Sequence, residues 1–145
     1  MERVVTTLEA LQQAAGEFAR TLIPHPDHAT LVTLEGELGA GKTSFTQGIA
    51  KALGVKDAVT SPTFVLEKVY PLGNESPFDR LVHIDAYRLE GNTSLMPLGF
   101  TDRYKDPRNL IVLEWPSQVA EQLPSADHSI QFSLRPDTTR CITYA

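Results

Sequence analysis

The residues best suited to chemistry in this sequence fall in one short run, GELGAGKT, from Gly36 to Thr43. Gly36, Gly41, Lys42 and Thr43 meet the spacing Gly-x4-Gly-Lys-Thr, which grips phosphate where it follows a strand and opens a helix. Glycines at 36, 39 and 41 let the backbone turn tightly and bring successive amides against phosphate oxygens, while the helix start favours negative charge. Lys42 offers a point charge to β and γ phosphates, and the Thr43 hydroxyl is a hard oxygen ligand of the kind magnesium takes. A strand-to-helix turn would account for the glycines alone, but not for Lys42 followed by Thr43. The expected nucleotide-contacting run is Gly36, Glu37, Leu38, Gly39, Ala40, Gly41, Lys42, Thr43 and Ser44.

A phosphate loop works with a carboxylate at the end of a neighbouring apolar strand, which holds the metal or orders water. LVHID ends in Asp85 and LIVLE ends in Glu114, as TLVTLE before the loop ends in Glu35. In a parallel sheet Asp85 and Glu114 would share the carboxyl edge with the loop, where ligands bind. Either acid could hold the metal while the other positions the attacking water. His83 alternates with Asp85 on one side of its strand, so it either orients that site or is a hydrogen-bonded core histidine. Arg88 either stabilises phosphate charge or pairs with a surface acid.

These residues need elements to place them, and the sequence supplies a pattern. TTLEALQQAAGEFARTL offers Thr6 as a helix cap with Glu9 three residues on, then Leu8, Leu11, Ala15, Phe18, Ala19 and Leu22 near helical spacing. PHPDHA breaks that helix, and TLVTLE from Thr30 is strand-like. Behind the loop, Phe45, Ile49, Ala50 and Leu53 share a helical face that stops at Gly54. FVLEKVY, RLVHID and LIVLE follow as strands, PSQVAEQLP as a short helix opened by proline, and HSIQFSLRP with TTRCITYA as a closing strand pair. The expected fold is α/β, a P-loop arrangement with a mostly parallel central sheet flanked by helices and a C-terminal strand pair. At 145 residues, one domain over 1–145 is expected.

Composition narrows the class further. Hydrophobic residues make up 41% and charged residues 21%, an ordinary globular mixture, and no apolar run approaches the ~20 residues of a membrane span. The acidic, glutamine-containing start lacks the apolar stretch of a secretory signal, and Cys141 is the only cysteine, so a reducing, cytoplasmic setting is expected. Net charge is −5 with no cluster of lysines and arginines, which argues against a large nucleic-acid face.

GELGAGKT, TSPTF, HIDAYRL and LEWP, in that order and approximate spacing, resemble the bacterial TsaE family, the small ATPases of tRNA threonylcarbamoyladenosine biosynthesis. The resemblance implies ATP and Mg2+ as ligands, partnership with the TsaB and TsaD proteins, and contact with tRNA through those partners. It implies that hydrolysis supports the cycling of that complex. By position, Lys42 and Thr43 resemble the family's phosphate lysine and magnesium threonine, Glu114 its second magnesium-side residue, and Asp85 the acid needed for hydrolysis. Ser61, Pro62 and Thr63 resemble a switch segment in which Thr63 senses the γ phosphate, and Trp115 resembles the aromatic that follows the glutamate.

Other readings of the same loop are a small-molecule or nucleotide kinase, a GTPase, and a nucleotide-gated binding module. A kinase needs a lid of arginines, for which Arg103 and Arg108 are a thin supply, and no Asn-Lys-x-Asp run is present to read guanine. A gated module needs only ordering by the γ phosphate.

Overall fold

A computed structural model describes residues 1–37, 39–56, 58–60, 67–87, 89, 99–137 and 139–145. Leu38, Ser61, Pro62, Thr63 and Arg88 lie outside the described residues. The order of elements is β1 (Glu2–Val5), α1 (Leu8–Arg20), β2 (Thr30–Glu35), α2 (Lys42–Ala52), β3 (Glu67–Pro71), β4 (Arg80–Asp85), α3 (Phe100–Tyr104), β5 (Asn109–Glu114), a 3-10 helix (Pro116–Gln122), β6 (His128–Leu134) and β7 (Arg140–Tyr144).

The strands form one seven-stranded sheet in the order β1-β7-β6-β2-β5-β4-β3. Its centre is parallel: β6, β2, β5 and β4 run side by side in one direction. The remaining pairings, β1 with β7, β6 with β7 and β3 with β4, are antiparallel, so the sheet is mixed and only its middle meets the expectation of mostly parallel strands. Connection length explains two of these pairings, β3 with β4 and β6 with β7. The segments 72–79 and 135–139 are too short for the dozen or more residues of a parallel crossover, so they close hairpins instead. Centre and rim also differ in kind: β5 is buried along its whole length, whereas β6 and β3 alternate or sit at the surface, as one-sided antiparallel strands do. The expected C-terminal strand pair is present as β6 and β7.

Two details at the amino terminus differ from the sequence reading. Residues 2–5 form an edge strand on β7 that the helical pattern beside it obscured. The cap of α1 is Thr7, one residue later than Thr6: its backbone is extended and its Oγ1 accepts the Ala10 amide at 3.0 Å. Leu8 is accordingly exposed, and the buried face runs through Leu11, Ala14, Ala15 and Ala19.

Strand alternation divides the core and aims the site. Leu81, Leu110, Val112, Val32 and Leu34 face α1 and α2, packing with Leu11, Ala15, Phe45 and Ile49. Val82, Ile84, Ile111, Leu113 and Leu31 face the other way, toward Phe100 and Val119. His83, Asp85 and Glu114 fall in the alternation on the first face, beneath the start of α2, and all three are buried. Among the described residues no helix is long and apolar enough to cross a membrane.

Candidate phosphate-loop site

The loop leaves β2 through a close approach. A side-chain carbon at Gly36 would stand 2.6 Å from the backbone oxygen of Phe132 on β6, so only glycine lets the chain pass there. Gly41, with φ of 109°, sits in the left-handed region and caps α2 without any side-chain hydrogen bond to the first-turn amides. Those amides therefore point, uncapped by side chains, toward the loop, the arrangement that attracts an anion. An open cleft of about 410 Å³ lies in front of them, bordered by Gly39, Gly41, Lys42, Thr43, Ser44, Asp85, Tyr87, Glu114, Trp115 and Arg140.

Lys42 is folded back on its own loop. Its Nζ donates to the carbonyls of Gly36 at 2.5 Å and Glu37 at 2.9 Å, and rests 4.0 Å from the centroid of the Trp115 ring. Burial pushes the ammonium's pKa below its ordinary value, against the opposing pull of Glu114, Glu35, Asp85 and Glu37. Ala40 is fully buried, and its amide bonds to Glu37 O at 3.2 Å, which tightens the turn.

The two strand-end acids lie side by side. In the sheet register Asp85 stands opposite Glu114, and Glu114 opposite Leu34 at the end of β2, so the loop and both carboxylates share one edge. The Thr43 hydroxyl lies 3.4 and 3.3 Å from the two Glu114 oxygens, a long contact. Glu114 Oε2 also accepts from His83 Nε2 at 2.5 Å. Asp85 Oδ1 accepts the Tyr87 amide at 2.9 Å, which turns the chain as it leaves β4.

The donor set suits a hard divalent cation. A hydroxyl and a carboxylate face each other at the cleft, with a second carboxylate on its border. Among the described residues no three or more His, Cys, Asp or Glu side chains form an all-protein cage. Magnesium rarely uses such a cage, taking one or two protein oxygens together with phosphate oxygens and water.

Trp115 ends β5 in a left-handed conformation, φ 62° and ψ 52°, unusual for a non-glycine residue. Its amide bonds to Leu34 O at 3.0 Å, its carbonyl accepts from Gln118, and Pro116 begins the 3-10 helix behind it. This turn swings the indole under Lys42 and against Tyr87, with ring centroids 4.9 Å apart.

The sequence reading missed Arg140. It reaches the cleft from β7, where Nη2 donates to Gly39 O at 3.3 Å, while its buried Nε has no partner among the described residues. The signal was non-local. Because β6 runs parallel to β2, the β6–β7 turn lands on the same edge as the loop, and neither fact is written in the local pattern of RPDTTR. Of the other expected residues, Gly36, Glu37, Gly39, Ala40, Gly41, Lys42, Thr43 and Ser44 make up or flank the loop.

A glycine loop between a parallel strand and a helix, with carboxylates on the adjoining parallel strands, defines a P-loop α/β protein. The whole fold agrees: the crystal structure of Bacillus subtilis YdiB superposes with a TM-score of 0.79 at 30% identity, covering 99% of this chain and 83% of that one. The family model described as threonylcarbamoyl adenosine biosynthesis protein TsaE matches residues 5–142, and the chain belongs to that family. Curated relatives named tRNA threonylcarbamoyladenosine biosynthesis protein TsaE include one from Streptomyces coelicolor, 50% identical over 64% of this chain and 61% of its own length. The one from Bacillus subtilis is 39% identical over 79% of this chain and 68% of its own, and that from Treponema pallidum 35% identical over 82% and 84%. The match thus spans less than two thirds of the Streptomyces protein.

Proposed function

We propose that this chain binds ATP with magnesium and hydrolyses it in support of tRNA threonylcarbamoyladenosine formation, acting with TsaB and TsaD and reaching tRNA through them. The observation that carries the reading is the convergence of Lys42, Thr43, Glu114 and Asp85 on one cleft in front of the uncapped α2 amides.

In this reading the α2 amides and the loop backbone take the phosphate oxygens. Lys42 exchanges the carbonyls of Gly36 and Glu37 for the β and γ phosphates, replacing neutral acceptors with anionic ones that attract the ammonium more strongly. Arg140 supplies a second cation from the opposite side of the loop. Thr43 and Glu114 would hold the metal, which would supply charge neutralisation to the phosphates. Asp85 orients the attacking water at the γ-phosphate end, since it borders the cleft on the same flank as Glu114. The cleft is open, and Tyr87 at its mouth is 39% exposed, which favours completion of the site by a partner and slow turnover by the chain alone.

Calorimetric titration with ATP, with and without magnesium, tests the binding half of this reading. Saturable binding that tightens with magnesium and vanishes in Lys42→Ala is expected. Binding that is indifferent to Lys42→Ala would place the nucleotide elsewhere.

A further inference from the structure

We propose that His83 is a positioning residue: through its Nε2 donor it fixes the Glu114 carboxylate so that the remaining oxygen is presented to the cation site. The inference rests on the magnesium-nucleotide reading above and assigns a role to a residue that is not among those bordering the cleft.

The placement is unusual for a histidine. His83 occupies the position between Leu81 and Asp85 on the face of β4 that packs under α1 and α2, where the alternation calls for an aliphatic side chain. The imidazole is completely buried, and Glu114 nearly so, with side-chain exposures of 0% and 4%. Nε2 donates to Glu114 Oε2 at 2.5 Å, while Nδ1 is buried with no partner among the described residues. A histidine kept for core stability would use both ring nitrogens, because an unpaired buried acceptor costs about 1–3 kcal/mol. Here one nitrogen is spoken for by Glu114 and the other is left out, so the group is explained by what it does to the carboxylate.

The carboxylate depends on it. Its other side-chain hydrogen-bond partner among the described residues is the Thr43 hydroxyl, which sits at 3.3 and 3.4 Å from the two oxygens and so distinguishes neither. A contact that long and that symmetrical does not set the rotation of a carboxyl group. His83 does, because a short bond to Oε2 from a ring held rigid by the core fixes the rotation of the carboxyl group and leaves Oε1 without a bond to the imidazole. Outer partners of this kind orient ligand carboxylates, and their loss typically weakens metal affinity by 10–100-fold.

The test uses Trp115, the only tryptophan, whose ring lies against Lys42 in the cleft. Its fluorescence reports binding of a non-hydrolysable ATP analogue, first in a chelator and then across a magnesium titration, for the wild type, His83→Phe and His83→Gln. Phenylalanine keeps a flat ring without a donor; glutamine places an amide donor near the position of Nε2. His83→Phe should raise the magnesium needed for half-maximal tightening by roughly tenfold or more, leave metal-free nucleotide affinity within about twofold, and be rescued by His83→Gln. An unchanged magnesium requirement in His83→Phe, equal losses with and without metal, or failure of His83→Gln to rescue would each overturn the proposal.

A wild type that shows no magnesium-dependent nucleotide binding would sink the underlying reading and this inference with it; a wild type that binds, beside an unaffected His83→Phe, sinks this inference alone. Should the variants fail to fold, nitrogen-15 spectra of the wild-type histidines decide the matter. The His83 Nε2 proton should be protected from exchange and should shift on adding magnesium to the analogue complex, and absence of that shift overturns the proposal.

Discussion

On one side of β2 the phosphate loop looks toward β5 and β4, which end in Glu114 and Asp85, both buried and aligned opposite each other in the sheet register. On the other side it looks toward the β6–β7 hairpin, which lends Arg140 to the cleft. The first flank is parallel sheet under two helices, with His83 and Thr43 tied into its carboxylate; the second is an antiparallel hairpin whose arginine makes one long bond to the Gly39 carbonyl. Buried, mutually bonded groups hold their geometry before a ligand arrives, whereas a half-buried arginine is free to rearrange onto one. The comparison therefore separates two jobs. Under the proposed function the carboxylate flank would set metal position and chemistry, and the arginine flank would contribute grip.

Lys42 stands between the flanks, and its loss should have the largest effect. Lys42→Ala should weaken ATP binding by roughly 100-fold and take turnover down with it, since contacts from a charged donor are worth about 1.5–3 kcal/mol each. Calorimetry and phosphate release check the pair of effects. Next, Asp85→Asn should lower turnover at saturating ATP by roughly 100-fold, the lower end for loss of a positioned acid or base, with affinity nearly unchanged. A parallel loss of affinity would blur the division between the flanks. Arg140→Ala should show the reverse split, about tenfold weaker binding with turnover at saturation retained. If instead Arg140→Ala lowers turnover and leaves affinity alone, the arginine belongs to the chemistry and the comparison fails.

A change remote from both flanks provides the smallest effect and the control. Asp106 accepts from Arg108 and from Arg80, and the Arg108 hydrogen bonds hold its carboxyl at about 2, below its ordinary 3.8. A depressed carboxylate stabilises the fold above its unfolded value, and that contribution disappears as pH falls from 3.8 toward 2. Asp106→Asn should therefore be slightly less stable at neutral pH, converge with the wild type in acid, and leave nucleotide affinity untouched. Thermal melts between pH 2 and 7 check this.

The uneven legibility of the sequence follows the same division. The loop, the helix behind it and the strands ending at Asp85 and Glu114 were readable because each is declared by local spacing: glycines, a lysine and a threonine in one run, and apolar stretches closing on an acid. What those residues touch was less readable. The His83–Glu114 bond depends on the register of β4 against β5, and the arrival of Arg140 depends on β6 lying beside β2. Sheet order and register arise from packing between residues far apart in the chain, so a window of ten residues carries neither. The mixed character of the sheet escaped for a related reason: parallel centre and antiparallel rim differ in connection length and in one-sided burial, cues that are faint in strands as short as β1 and β3. The left-handed Trp115, which brings the indole under Lys42, is likewise a product of the turn into Pro116. The TSPTF segment, expected to act as a switch, has Ser61, Pro62 and Thr63 outside the described residues.

The central claim, that this cleft hydrolyses ATP with magnesium, is tested most directly by measuring free phosphate released from ATP by the purified chain, in magnesium and in chelator, alone and with TsaB and TsaD. The account predicts slow release that requires magnesium, rises when both partners are present, and is lost in Asp85→Asn. Release that persists in chelator, phosphate that appears on an acceptor and not in solution, or an Asp85→Asn chain that turns over as fast as the wild type would contradict it.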